Sequence, residues 1–267
     1  MGDEAVLTTF GEDGVVVVKL NRPKARNALN AAAVAGLWEA FIRVHEAGPR
    51  VRLVFLTGAG SFFCAGADMS NLLGADKEQA ARNKPFGDLL MLIHTAPCPV
   101  VGLSPGGAFG GGLGLLACCD FVISVANAKF ALSEVRIGMI PATISPYVIA
   151  KIGIPKSQRL FLTGEAFDAA EAEQMGLVSE VVADAQALQA AAQKLCDTMT
   201  LCAPEAVASA KALVRNVVNR EINEDLKAYT NKELAKVSQS KEVAIGAKAF
   251  RAKEKPAWAT QKLTAKL

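Results

Sequence analysis

The sequence predicts an α/β fold: a stack of strand, strand and helix units closed by a run of helices. Three features point to it. Short, largely apolar runs at 51–56, 100–103 and 121–125, interrupted only by Arg52, Gly102 and Ser124, have the length and composition of parallel strands covered on both faces. Segments with apolar residues at helical spacing lie between such runs, so strand and helix alternate to about Val182 and imply a coiled stack of turns. Beyond it the chain turns alanine-rich and amphipathic. The expected division is a core over 1–200 and a helical region over 201–267.

In chain order, 6–9 and 15–20 are β-branched or apolar runs joined by GEDG at 11–14, the pattern of a hairpin. Asn21-Arg22-Pro23 stops the second strand. Asn30 stands where it can cap a helix over 31–47, in which Val34, Leu37, Trp38, Phe41 and Ile42 recur at helical spacing, and Gly48-Pro49 ends it. The strand at 51–56 runs into TGAGSFFCAGADM at 57–69, a loop of small residues. Residues 71–96 turn from polar to apolar, and FGDLLMLIHTA predicts a helix in which His94 is a packed residue. Pro97 and Pro99 bracket Cys98 and lead into the central strand at 100–103. A helix over 113–119 and a strand over 121–125 follow. Residues 145–152 and 156–163 read as short helices, Asp168 caps DAAEAEQMG, and 178–182 is a strand. The stretches 185–201, 204–219 and 222–237 are amphipathic helices whose stripes close the core or bind a sister subunit.

Composition narrows the function classes. The chain has 267 residues, 51% of them apolar, enough for one large core. A net charge of +3, with the only basic cluster at 248–266, argues against a nucleic-acid partner. No apolar run approaches a membrane span and no basic apolar targeting segment opens the chain, so a soluble, cytoplasmic protein is expected. Six cysteines without ligand or disulfide spacing fit a reducing compartment. Two distant histidines, His45 and His94, without an H-E-x-x-H pattern, argue against an intrinsic metal.

The densest signal is 99–138. Glycines at 106, 107, 110, 111, 112 and 114 lead from an apolar run into a helix, where first-turn N–H groups lack intrahelical partners and suit a negatively charged ligand. Glu134 is the only carboxylate between Asp120 and Glu165. GLSPG at 102–106 matches a serine-nucleophile elbow, but both histidines precede Ser104, and Pro105 has no N–H to offer an oxyanion. GLGLLA at 112–117 matches a relaxed dinucleotide fingerprint, yet several glycines separate it from the end of its strand and no doubly wound series follows.

GAFGGGLGLLACCD with FALSEVRIGMIP, KARNALN at 24–30, FFCAGADM at 62–69 and LTGEAFDAAEAEQMGLVSEVV at 162–182 together closely resemble the enoyl-CoA hydratase/isomerase (crotonase) family, in the family's order. The resemblance implies a ββα spiral core with a C-terminal helical trimerisation region, in trimers often paired as hexamers, and an acyl-CoA substrate with no separate cofactor. It implies that the N–H groups of Ala67 and Gly111 donate to the thioester oxygen, fixed before charge develops. It places coenzyme A across Lys24, Ala25, Arg26, Ala65, Asp68 and Met69, beside Gly110 and Gly114, with Phe250 and Lys253 near its adenine and phosphates.

Family hydratases typically carry two glutamates. This chain matches the second at Glu134 and has Gly114 at the first. Water addition needs a group to hold the water and a group, or the same one by turns, to deliver the proton. A lone carboxylate suffices for a Δ3,Δ2-enoyl-CoA isomerase. GMIPATISPYV at 138–148 resembles the branch of methylglutaconyl-CoA and isohexenylglutaconyl-CoA hydratases, whose carboxylated acyl group would meet Arg136 or Tyr147; a surface salt bridge is the other reading of Arg136. Hydration of a 2-enoyl-CoA is the leading expectation and isomerisation the alternative. A non-catalytic relative that binds acyl-CoA or RNA would be stabilised by its ligand without turning it over.

Overall fold

Val6–Phe10 (β1) and Val15–Leu20 (β2) form the expected antiparallel hairpin, and the Gly11 N–H donates to the Val15 carbonyl at 2.8 Å. The computed structural model describes residues 4–68, 85–265 and 267. After a 3₁₀ turn at Pro23–Ala25, the chain enters Ala31–Ala47 (α1), where the Asn30 side chain accepts from the Ala33 N–H at 2.9 Å, as its cap position predicts. Leu37, Phe41 and Val44 bury one face of this helix. Leu53–Gly58 (β3) starts two residues later than the apolar run, because a second 3₁₀ turn at Gly48–Arg50 carries the chain on before it enters the sheet.

Phe86–His94 (α2) matches the helix predicted in FGDLLMLIHTA; the rest of the polar stretch, 69–84, lies outside the described residues. Then come Val100–Ser104 (β4), Ala108–Phe109 (β5), Gly111–Cys118 (α3), Phe121–Val125 (β6) and Lys129–Ala131 (β7). Ser145–Thr163 (α4) is interrupted at Gly153 (φ 74°, ψ 168°), with Pro155 beyond it, so the two short helices predicted here flank a kink. Ala166–Asp168 (β8) runs into Ala169–Gln174 (α5) through a capping box made by Asp168 and Glu171. Glu180–Val182 (β9) and Ala185–Thr200 (α6) complete the core.

The larger sheet has the order β1-β2-β3-β4-β6-β9 and is parallel from β2 onward. Every residue of β3 and β4 is buried, which explains their continuous apolar runs. The smaller sheet has the order β5-β7-β8. Two successive turns of chain, β4–β5–α3 and β6–β7–α4, each place their first strand in the large sheet and their second in the small one, which is the expected strand, strand, helix spiral.

Pro204–Val217 (α7), Glu224–Ser238 (α8) and Lys241–Ala252 (α9) form the C-terminal helical region. The last of these was not predicted: its lysines read only as a basic cluster, although Ser240 caps it by accepting from the Val243 N–H. The region is tied to the core by polar contacts. Lys211 Nζ donates to Asp120 Oδ2 at 2.7 Å and to the Cys98 carbonyl at 2.9 Å, and Arg215 donates to the His94 carbonyl at 3.0 Å. Ile222, Leu234 and Phe250 on this region stand exposed. No described helix is long and apolar enough to cross a membrane.

Candidate active site

Three loops leave the carboxyl ends of β2, β3 and β4, the end of a parallel sheet where ligands bind. Asn27 joins the first two. It is 1% exposed, in the left-handed region (φ 57°) that asparagine tolerates; its Oδ1 accepts from the Arg22 N–H at 2.9 Å, and its Nδ2 donates to the carbonyls of Ala59 (3.0 Å) and Phe62 (2.7 Å). KARNALN was singled out as a motif, but nothing local assigned this residue a role. Asn27→Ala is expected to cost about 3 kcal/mol by leaving buried main-chain groups unpaired, and equilibrium urea unfolding measures it.

The same loops are stitched by main-chain bonds: Leu29 N–H to the Gly66 carbonyl (2.7 Å), Asp68 N–H to the Leu29 carbonyl (3.0 Å) and Ala65 N–H to the Arg26 carbonyl (2.9 Å). In this parallel bridge between Leu29 and Ala67, residues 66 and 68 face Leu29, so the N–H of Ala67 turns to the other side. Among the described residues none accepts from it. A further bridge links Cys64 to Ala108, with Phe109 N–H donating to the Cys64 carbonyl at 2.9 Å. At Gly66 (φ +86°) a Cβ would stand 2.7 Å from the Phe109 carbonyl oxygen and 3.4 Å from the Gly111 nitrogen, so glycine is what lets the second and third loops meet. Gly111 opens α3, and its N–H therefore has no intrahelical partner.

Glu134 arrives from the small sheet. Ala108 pairs with Phe130 and Phe109 with Ala131 in parallel, so the residues after β5 and β7 emerge at one end. The Gly110 N–H donates to the Ala131 carbonyl at 3.0 Å, and a Cβ on Gly110 would lie 3.1 Å from Glu134 Oε1. Oε2 is buried without a hydrogen-bond partner among the described residues. Burial raises the Glu134 pKa above the ordinary carboxylate value, against a smaller lowering by its own backbone N–H. A carboxyl group so placed can take and return a proton more readily than an exposed one.

Gly114 is buried beneath Ile144: a Cβ there would stand 2.1 Å from Ile144 Cγ2 and 2.7 Å from its Cβ. No sequence signal pairs these residues. Gly114→Glu is therefore expected to destabilise the fold by about 1–3 kcal/mol through overpacking without raising hydration of crotonyl-CoA; thermal melts and a hydration assay check both.

The remaining site candidates are placed as follows. Lys24 and Ala25 lie in the 3₁₀ turn, and exposed Arg26 (φ 49°) has its guanidinium 5.9 Å from the Phe62 ring centre. Asp68 pairs with Arg22 at 2.9 Å. Met69 lies outside the described residues. Phe250 and Lys253 are exposed at the end of α9, and no described hydrogen bond, ion pair or ring contact joins either to the three loops. Arg136 donates from Nε to the Thr163 carbonyl at 3.3 Å in place of a salt bridge, and Tyr147 packs edge-on against His94 at 5.4 Å. Burial, then Arg215 and Lys211, lower the His94 pKa, and the ring is packed against Tyr147 as expected. The Ser104 hydroxyl is buried and donates to the Gly106 carbonyl, which removes the nucleophile reading. Burial pushes the Cys64 and Cys119 thiols up to about 12, so neither is a thiolate.

The profile of the family described as Enoyl-CoA hydratase/isomerase matches residues 11–261, and the chain belongs to that family. It is 31% identical over 267 residues to the carnitinyl-CoA dehydratase of Escherichia coli O157:H7, covering 97% of this chain and 99% of the relative. It is 31% identical over 260 residues to the enoyl-CoA hydratase EchA19 of Mycobacterium tuberculosis, covering 96% of each. Among solved structures, Pseudomonas aeruginosa AtuE superposes with a TM-score of 0.90 at 36% identity, over 96% of this chain and 100% of that one. The α/β spiral with its helical C-terminal region is thus the fold of this enzyme family.

Proposed function

We propose that the protein hydrates a 2-enoyl-CoA thioester with Glu134 as its single acid/base group. The observation that carries this is the half-buried Glu134 carboxyl group, whose Oε2 is buried without a partner among the described residues and whose Oε1 lies against Gly110, at the start of α3. In the proposed step, the N–H groups of Ala67 and Gly111 donate to the thioester oxygen. Glu134 takes a proton from water as the water oxygen bonds to the β-carbon, and the double-bond pair moves toward the thioester as an enolate. The protonated Glu134 then returns its proton to the α-carbon on the same face. One water is consumed and the carboxylate is regenerated.

Coenzyme A lies, in this proposal, across Lys24, Ala25, Arg26, Ala65, Asp68 and Met69, and the tail residues Phe250 and Lys253 reach its adenine and phosphates in a homotrimer or hexamer. The exposed apolar side chains of the C-terminal helices support such an assembly. A branched or carboxylated acyl group remains within the proposed substrate range, with Arg136 or Tyr147 to meet its carboxylate; Arg136 Nε donates to the Thr163 carbonyl and the Tyr147 ring packs on His94, which leaves their other polar atoms for this role.

A second reading, Δ3,Δ2-enoyl-CoA isomerisation, is favoured by Ile144, which occupies the space of a second carboxylate. The deciding experiment offers crotonyl-CoA, 3-methylglutaconyl-CoA and a 3-enoyl-CoA in oxygen-18 water. Labelled 3-hydroxyacyl-CoA supports hydration. Conversion of the 3-enoyl to the 2-enoyl thioester without label supports isomerisation instead, and no turnover of any of the three defeats both.

A further inference from the structure

Residues 134–144 run beside the first turn of α3, with Glu134 against Gly110 at one end and Ile144 against Gly114 at the other. The two glycines share the helix's own hydrogen bond, Gly114 N–H to the Gly110 carbonyl at 3.1 Å, so carboxylate and isoleucine stand about one turn apart along the helix. Ile144 is 3% exposed and belongs to the core. The space beside Gly111 is bounded by Leu29 Cδ1 at 3.4 Å and Phe86 Cε1 at 3.5 Å from where a Cβ would be, and Thr143 Cγ2 approaches Gly87 in the same way at 3.3 Å. The atoms nearest to a side chain built at Gly111 or Gly114 are thus all carbon, from Leu29, Phe86 and Ile144. A water molecule held in place needs two or more polar partners, and the Ile144 side chain over Gly114 supplies none.

We propose that Ile144 is the specificity-determining residue of this site: its side chain closes the space over Gly114 to a second water-holding group and so sets the balance between water addition and proton exchange at carbon. The inference rests on the reading of Glu134 as the acid/base group. Addition breaks a water O–H bond and makes an oxygen bond to the β-carbon, so it requires an oriented water. Exchange breaks and remakes only the C–H bond at the α-carbon. An apolar wall hinders the first and leaves the second untouched.

The test measures two rates on the full chain: hydration of crotonyl-CoA, and deuterium uptake at the α-carbon of butyryl-CoA in deuterium oxide, read by mass spectrometry. Ile144→Ser is expected to raise the ratio of hydration to exchange by about tenfold, the size of one net hydrogen bond, while Ile144→Val, which removes carbon without adding a polar atom, stays within about twofold of wild type. Simple loosening of the structure lowers both rates and leaves the ratio alone. If Ile144→Ser does not fold, Ile144→Thr carries the same expectation with the β-branch kept. An unchanged ratio in the hydroxyl variant, or an equal rise in the valine variant, overturns the proposal. Exchange that survives in Glu134→Gln overturns the underlying reading of the site instead, whatever the ratio does.

Discussion

Glu134→Gln is expected to lower both hydration and α-carbon exchange by about 10²- to 10⁴-fold, the range for removing a positioned acid/base group, while acyl-CoA binding and the fold persist. The amide keeps the size of the carboxyl group but cannot carry a proton to and fro. The pH dependence follows from burial, which raises the Glu134 pKa. The ionised form takes the first proton, so the rising limb of the rate profile should lie above the ordinary carboxylate range of about 4.3. Stability changes with the opposite sense. A raised carboxyl pKa favours the folded protein below the unfolded value, and that advantage is lost as pH rises through the folded one. The melting temperature of Glu134→Gln should therefore gain on wild type between acid and neutral pH. A difference that is flat with pH, or hydration at wild-type rate, would contradict this account of the carboxylate.

Lys211→Met is expected to destabilise the protein by about 3 kcal/mol, near the low end for breaking a buried ion pair from one side. The Lys211 side chain is 8% exposed and its Asp120 partner 26%, which places the pair between core and surface. Asp120 also accepts from the Val100 N–H at 2.7 Å, and its carbonyl accepts from Lys151 at 3.1 Å. One residue therefore fastens β4, α4 and α7. Removing the lysine leaves the Cys98 carbonyl without its 2.9 Å donor as well. Chemical denaturation of Lys211→Met, Asp120→Asn and the double variant measures the coupling, and the double variant should cost less than the two single losses added together. A loss below about 1 kcal/mol, the level of an exposed pair, would show that the C-terminal helices do not depend on this anchor.

Features written in local chemistry are legible in the sequence alone. The hairpin, the Asn30 and Asp168 caps and the buried parallel strands each follow from a few consecutive residues, and each forms as read. Boundaries drifted where neighbouring geometry intervened: β3 starts late because a 3₁₀ turn precedes it, and α3 starts as early as Gly111, with Gly112 packing bare backbone against Cys64. The small sheet was invisible, since strands of two or three residues carry no period and exist only because distant loops meet. The candidate site shows the same division. Glu134, Ala67 and Gly111 were named from motif resemblance, whereas Asn27 as the stitch between loops and Ile144 over Gly114 are contacts between segments far apart in sequence. Such contacts leave no mark in either segment alone.

The segment bearing the Glu134 carboxyl group is joined to the glycine-rich helix start by a parallel ladder of two residue pairs, Ala108 with Phe130 and Phe109 with Ala131, and by the Gly110 N–H to the Ala131 carbonyl. Behind it, the rings of Phe130 and Phe167 pack at 5.7 Å. In the proposed reaction, alignment of the carboxylate thus depends on a sheet far smaller than the six-stranded one beside it. Both rings belong to the one buried core, so in the proposed reaction a lesion in that aromatic pair would misplace the proton carrier and weaken the fold together.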